Sequence, residues 1–306
     1  MTLSDLPSST GRPARRWRDR PGIIGWLYAA PTAAVVVLLF VLPVALAVWM
    51  SLNKWPLIGG PHTLNFPDNY AHIPSDELFL QGIGFTVTYT VLIVFLLVIV
   101  AMVLALIVEQ PRRGVGILRT AYFVPAVVGL TSSALLFYGL YSASIGPINP
   151  LLQALGIIKE PVDWLGTPTN ALISTLILMT WRFAGFYMLI LLTGLQAIPR
   201  DIYEAARIDG GGPFQIFRYV TLPLLRPSLA LCFVMIVTGG LLAFEQFYVL
   251  TSGGPDNSTV TMVMAMFRQA FSLFDLGRAS AIAVVMLIAL VAVNALQLSV
   301  LRRQDP

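Results

Sequence analysis

Six long apolar runs constrain this chain more than any other feature. A run of about 20 apolar residues crosses the roughly 30 Å hydrocarbon core of a bilayer as a helix. The runs cover approximately 22–52, 82–108, 118–141, 171–198, 228–250 and 279–301. With no water in the bilayer to satisfy the backbone, each run must close its own hydrogen bonds, so helices are predicted in all six. The chain is 57% hydrophobic and 11% charged, against about 25% charged in a soluble domain, so it has too little polar surface to wrap a water-soluble core. The predicted fold is an all-α membrane protein with six transmembrane helices.

The stretch 1–21 reads as a basic N-terminal tail, and 22–306 as the transmembrane domain. Arg12, Arg15, Arg16, Arg18 and Arg20 cluster in the tail. A basic start followed by an apolar run is also how a signal peptide begins. The run 22–52 is about twice as long as the 7–15 residues of a signal core, so it is predicted to be a retained first helix, bent at Pro31 or Pro43. With both termini on one side, that side carries fourteen Lys and Arg: five in the tail, then Arg112, Arg113 and Arg119, then Arg200, Arg207, Arg218 and Arg226, and finally Arg302 and Arg303. The other side carries four, Lys54, Lys159, Arg268 and Arg278. The positive-inside rule puts both termini in the cytoplasm. Because the basic residues are spread over several loops, the net charge of +4 argues against a nucleic-acid partner and for a lipid bilayer. Cys232 is the single cysteine, so no intrachain disulfide forms. His62 and His72, ten residues apart in a polar loop with no Cys or His cluster, read as solvated rather than metal-binding.

Between the fourth and fifth runs lies Asp201–Pro223, polar, acidic and basic by turns. Asp201–Ile208 reads as a short helix with Asp201 placed to cap it. Gly210-Gly211-Gly212 stops it, since glycine accepts the left-handed conformation at a helix C-terminus. Pro213 restarts a helix, and Phe214, Phe217 and Val220 give that second helix one apolar face. The segment is predicted to be a structured hook on the cytoplasmic side. The extra glycines are expected to loosen its elbow.

The chain brings no engine of its own. Neither of its two lysines, Lys54 and Lys159, follows the glycine of a phosphate loop, and no nucleophile elbow, His-Glu-x-x-His or redox motif is present. A membrane protein so built diffuses its substrate, couples to an ion, or borrows an ATPase. The hook suits the third course.

The hook resembles the EAA motif of the membrane subunits of bacterial ABC importers. Glu204-Ala205-Ala206 is followed after three residues by Gly210, then after nine by Val220, then by Leu222-Pro223. Val220 stands where that family usually has Ile, and Gly211 where sugar importers often have Ala. A second likeness, to carbohydrate-type importer permeases, extends over about 81–301. It rests on Phe244-Glu-Gln-Phe-Tyr-Val-Leu-Thr-Ser-Gly-Gly-Pro255, Ser258-Thr259, Gly277-Arg-Ala-Ser-Ala281, and Trp181 with Gly194-Leu-Gln-Ala-Ile-Pro199. Within that group the chain is similar to the first, MalF-like, permease type. The resemblance implies the type I ABC importer transmembrane fold, with 200–228 as the coupling segment that docks in a groove of a separate ATPase. It implies that Glu204 pairs with a basic group of that ATPase, that Ala205 and Ala206 allow close packing, that Asp209 and Gly210 set the elbow, and that Val220, Leu222 and Pro223 complete the motif. Phe214, Phe217 and Val220 would pack on this chain's own spans. The plainer role for Glu204 is a helical pair with Arg207, worth about 0.2–0.5 kcal/mol. The implied partners are a second permease forming a heterodimer, two ATPase subunits and an extracytoplasmic solute-binding protein, in a bacterial cell membrane. ATP and Mg would sit on the ATPase, leaving this chain without cofactor, metal or catalytic residue.

Polar groups inside the runs are the candidates for a substrate path, because a charge at mid-membrane is costly unless it faces protein or water. Arg182 shares a helical stripe with Gly185, Leu189, Thr193 and Gln196, and Glu245 has Gln246 and Tyr248 close by in sequence. Each is equally well read as polar glue between helices. Trp181, Phe186 and Tyr187 are suited to stacking on a sugar but more often fill a core or face lipid, and Trp49–Trp55 reads as an interfacial belt. The solute expected is a sugar, oligosaccharide or glycerol phosphate. The rival readings are an ion-coupled secondary transporter or channel, which needs no hook, and a membrane-embedded enzyme or scaffold, for which no catalytic cluster is found.

Overall fold

Proline decides where the helices of this chain depart from straight rods. In the computed structural model, which describes residues 21–60, 62–110 and 112–302, the first run forms α1 (Pro21–Val36) and α2 (Leu42–Ser51), joined by a π-helical turn at Val37–Val41. Pro43 offers no N–H to the carbonyl four residues earlier, at Leu39, so the ladder widens there. The disturbance expected at Pro31 or Pro43 therefore takes the form of a widened turn ahead of Pro43. The basic residues of the tail and Arg303 lie outside the described residues. The chain divides into two units, Met1–Trp49 and Met50–Pro306. Between Tyr28 and Ser51 in the first helix, the most apolar stretch buries none of its side chains within the chain.

In the second unit the loop after the first helix is folded. Strands β1 (Asn53–Lys54) and β2 (Thr63–Leu64) pair antiparallel, Asn53 opposite Leu64, and a short helix α3 (Asp68–Ala71) follows. Buried Asn69 donates to the Ser51 and Asn53 carbonyls at 2.8 and 2.9 Å. His62 stacks on Trp55 with centroids 3.8 Å apart.

The bundle comprises α4 (Glu77–Glu109), α5 (Val115–Val127), α6 (Leu130–Tyr141), α7 (Ile148–Ala154), α8 (Pro168–Gln196), α9 (Arg200–Ile208), α10 (Pro213–Ile216), α11 (Leu222–Leu224), α12 (Arg226–Leu241), α13 (Glu245–Leu250), α14 (Met262–Phe271) and α15 (Leu276–Arg302). Asp76 caps α4, its carboxylate accepting from the Phe79 amide at 3.0 Å. Helices α4, α8 and α12 pack together, burying Tyr89, Ile93, Leu178, Met188 and Leu191. Against α8 lies α5, so close that a Cβ on Gly185 would clash with the Tyr122 carbonyl oxygen. No other residue fits that crossing.

Among the described residues four helices are long and apolar enough to cross a membrane, at Tyr28–Ser51, Glu77–Glu109, Pro168–Gln196 and Leu276–Val300. Two bent pairs bring the number to six: Val115–Val127 with Leu130–Tyr141, bent by 96°, and Pro213–Leu224 with Arg226–Leu241, bent by 68°. Two expectations are corrected here. The third run is not one rod, because its helix stops at Val128 and Gly129 starts the next. The fifth run is not continuous to Leu250 either. Helix α12 ends at Leu241, and after Leu242–Phe244 the chain begins the separate helix α13 at Glu245.

Candidate functional site

The hook forms as two helices about a capped elbow. Helix α9 begins at Arg200 with Pro199 in the cap position and no side-chain cap, so Asp201 is a first-turn residue rather than the cap expected of it. There its carboxylate still favours the helix dipole. At the far end Gly210 is left-handed, with φ of 81°. The Gly211 amide donates to the Ala206 carbonyl at 3.0 Å and the Gly210 amide to the Arg207 carbonyl at 3.1 Å. This pair of bonds is the Schellman closure, with Asp209 as the last half-helical residue. The Gly212 amide donates to Gln215 Oε1 at 2.9 Å. Glycines expected to loosen the elbow are thus each hydrogen-bonded through their amides. Across the elbow, Thr221 Oγ1 donates to the Tyr203 hydroxyl at 3.3 Å, joining the two arms.

The second arm carries a π-helical turn at Phe217–Thr221. Pro223 stands two residues beyond it, as Pro43 stands beyond the turn in the first helix, and for the same lack of an N–H. Phe217 packs against the core and Val220 is half-buried, but Phe214 is 78% exposed. The packed face expected to include Phe214 is therefore formed by Ile216, Phe217, Val220 and Thr221 instead. Leu222 and Pro223 are half-buried at the bend, while Glu204 and Ala205 are exposed and Ala206 is half-buried. Among the described residues the one ion pair is Arg278–Asp275, so Glu204 does not pair with Arg207. Glu204 lines the groove under the hook with Arg119, Arg200 and Arg207, and Ile202, Ile208 and Phe214 of the two arms are exposed. That groove measures about 1030 Å³, and the ends of α4 and α8 also wall it.

Within the bundle, Arg182 on α8 donates through Nε and Nη2 to the Val128 carbonyl at 3.0 and 2.7 Å. That carbonyl is orphaned by the 96° break between α5 and α6, and the guanidinium carbon also lies 4.4 Å from the Phe183 ring centre. Arg119 does the same for α4, donating to the Val108 carbonyl at 3.2 and 2.6 Å. The stripe of Arg182 and Gly185 thus faces α5. Gln246 is buried, and its Nε2 donates to the Tyr89 hydroxyl at 3.3 Å. Tyr248 is half exposed and stacks on Phe244 with centroids 5.1 Å apart. Glu245 and Gln246 line a cavity of about 420 Å³, whose aromatic wall is Tyr89, Phe183, Tyr187 and Phe244. Arg182 and Tyr248 are not among its lining residues. Of the aromatic wall, Tyr89 and Phe183 are not among the residues singled out from the sequence. A tyrosine inside an apolar run, two turns from Gly82 and flanked by Thr86 and Thr90, was the available sign, since a buried hydroxyl needs a partner. Among the described residues no cluster of three or more His, Cys, Asp and Glu is placed to hold a metal.

A helical bundle of broken and unbroken spans, a capped hook and a largely apolar cavity that holds Glu245 and Gln246 define a membrane permease. The family model described as binding-protein-dependent transport system inner membrane component matches residues 79–306. The trehalose/maltose transport system permease protein MalF of Thermococcus litoralis is 34% identical over 287 residues, 94% of this chain and 96% of that one. A probable ABC transporter permease protein, YurN of Bacillus subtilis, is 33% identical over 279 residues, 90% of this chain and 95% of that one. A solved bacterial ABC transporter involved in import of the acidic polysaccharide alginate shares the fold at a TM-score of 0.82 and 21% identity, over 96% of this chain and 100% of that one. The chain belongs to the binding-protein-dependent transport system inner membrane component family: it is a permease subunit of an ABC importer, with the type I importer fold.

Proposed function

We propose that this chain is the first, MalF-like, of two permeases that import a carbohydrate or related solute, and that Glu204 and the exposed face of α9 couple it to a separate ATPase. Both termini and the hook lie in the cytoplasm of a bacterial cell, on the charge asymmetry of the loops. A second permease completes the path, two ATPase subunits bind ATP and Mg, and an extracytoplasmic binding protein delivers the solute. This chain itself is not an enzyme and holds no cofactor. The observation that carries the reading is the hook's build. Its elbow is closed by backbone bonds, while Glu204 makes no ion pair among the described residues and Ile202, Ile208 and Phe214 are exposed. A rigid arm with an exposed tip transmits a push from a partner to the spans.

The solute path runs through the cavity bounded by α4, α8, α12 and α13. Aromatic rings there offer stacking faces, and Glu245 and Gln246 offer hydrogen bonds, the mixture by which small-molecule sites fix a polar ligand. Glu204→Ala is expected to leave the protein in the membrane and to abolish ATP hydrolysis stimulated by the binding protein in the assembled complex. Full stimulation in that variant would sink the coupling role. The sharp bend between Val115–Val127 and Leu130–Tyr141 favours, as a second reading, an ion-coupled transporter, in which broken helices are common. Solute uptake by vesicles holding this chain without ATP or ATPase would favour that reading.

A further inference from the structure

We propose that a second cavity, on the face opposite the hook, is an outer subsite for an uncharged, hydroxyl-rich sugar ring; the assignment to carbohydrate rests on the importer reading above. This cavity measures about 480 Å³, within the roughly 300–1,000 Å³ range of small-molecule sites. It opens where α6 and α13 end, and its lining includes Tyr138, Tyr141, Ser142, Asp163, Thr251 and Gly254. Its lining residues Asp163, Leu165 and Gly166 precede the start of α8, and the hook follows the other end of that helix, so this pocket meets solute on the opposite side of the membrane. Tyr138 is 55% exposed, and its hydroxyl bonds to no other described residue.

Both walls are pinned, residue by residue. On one side, Asn149 Nδ2 donates to the Val162 carbonyl at 3.0 Å, and Asn149 Oδ1 accepts from the Val162 amide at 3.2 Å and Trp164 Nε1 at 2.9 Å. Asn170 Nδ2 donates to the Asp163 carbonyl at 2.8 Å, Ser174 Oγ to the Trp164 carbonyl at 2.8 Å, and the Tyr141 hydroxyl to the Ser174 carbonyl at 2.9 Å. Tyr141 and Trp164 stack with centroids 5.7 Å apart. On the other side, Thr259 Oγ1 donates to the Gly254 carbonyl at 2.7 Å, and Arg268 donates to the Ser252 carbonyl at 2.9 Å and to Asn257 Oδ1 at 2.7 Å. Loops this thoroughly tied do not need to be ordered by a ligand, so little binding energy is lost on closing around one.

Charge selects the class of ligand. Asp163 is the one charged side chain in the lining. It makes no ion pair among the described residues, and Oδ1 accepts only from the Leu165 amide at 3.2 Å. A carboxylate with spare acceptor capacity takes hydroxyl donors, and it repels a uronate. The tyrosine beside it supplies a stacking face.

The test uses the whole complex in nanodiscs, first without binding protein, with labelled trehalose, maltose, lactose and digalacturonate as probes. Saturable binding of at least one neutral disaccharide is expected, weakened about tenfold or more in Tyr138→Ala and in Asp163→Asn, the worth of one charge-assisted hydrogen bond or ring contact. Digalacturonate is expected to bind about tenfold or more weakly than the neutral sugar, and to gain affinity in Asp163→Asn. The subsite is overturned by an absence of saturable binding of all three neutral sugars. It is equally overturned if both outer variants bind as the wild type does while Glu245→Gln loses the sugar, which assigns the ligand to the inner cavity. Binding protein is then added. No stimulated ATP hydrolysis in the wild type means that the importer reading has failed. Stimulated hydrolysis with unaltered outer variants means that the subsite alone has failed.

Discussion

The hook and the cluster around Arg182 both interrupt apolar sequence with charge, but they direct that charge in opposite ways. In the hook the backbone satisfies itself through a Schellman closure and a side-chain cap, and Glu204 makes no ion pair among the described residues. In the bundle the backbone is broken at Val128, and Arg182 is consumed in satisfying it. The contrast shows that a charge in a membrane protein becomes available for function only where the local backbone does not need it. An orphaned carbonyl in a dry bundle costs several kcal/mol, more than most ligand contacts return.

The largest blow to the comparison comes from the crossing that frames the Arg182 site. Gly185→Leu drives a side chain into the backbone of α5, and its cost is expected at or above the upper end of the about 1–3 kcal/mol typical of overpacking. The measurement is the yield of folded protein extracted from membranes. A normal yield would mean that α5 does not sit on α8 as described. Next in size is Arg182→Leu, which strands the Val128 carbonyl and should destabilise the complex by about 1–3 kcal/mol. Arg182→Lys, with one donor point in place of a fork, should fall between the variant and the wild type. An unchanged melting temperature in Arg182→Leu together with lost solute uptake would return Arg182 to the substrate path.

On the hook side, Gly210→Ala places a Cβ in the left-handed region at a cost of about 1–2 kcal/mol. Local hydrogen exchange at the Gly210 and Gly211 amides is expected to quicken, with a partial drop in stimulated ATP hydrolysis. Phe214→Asp changes an exposed side chain and should shift stability by no more than about 0.5 kcal/mol. Its expected effect is on ATPase affinity, read by co-purification. A marked loss of stability there would show that Phe214 packs on the spans after all. Gln215→Ala, which removes the exposed bond to Gly212, is expected to cost about 0.5 kcal/mol, seen as faster exchange of that amide.

The hook was legible because its signals are local. Gly210 must be left-handed and Pro213 must begin a helix wherever the segment sits in space. What misled was also local reasoning carried too far. Asp201 looked like a cap, but Pro199 fixes the preceding backbone and starts the helix one residue sooner. The face through Phe214 assumed that three-residue spacing alone sets burial, but Phe214 lies in the first turn of α10 and is exposed. The spans were countable from hydrophobicity, yet the break at Val128–Gly129 left no mark in the apolar pattern, because breaking a helix there changes no residue's polarity. Its compensation lies 54 residues away, at Arg182.

By itself, then, the sequence determined which runs are long and apolar enough to cross a membrane, and the elbow's chemistry, since both depend on transfer free energy and backbone geometry along a single stretch of chain. Tertiary structure alone decided which polar groups are already spoken for. It set Arg182 on a carbonyl of another helix, set Gln246 on Tyr89, left Glu204 without an ion pair among the described residues, and gathered Tyr138 and Asp163 about one cavity. Satisfaction of a polar group is a property of its neighbours in space, and in a bundle of helices those neighbours come from distant parts of the chain.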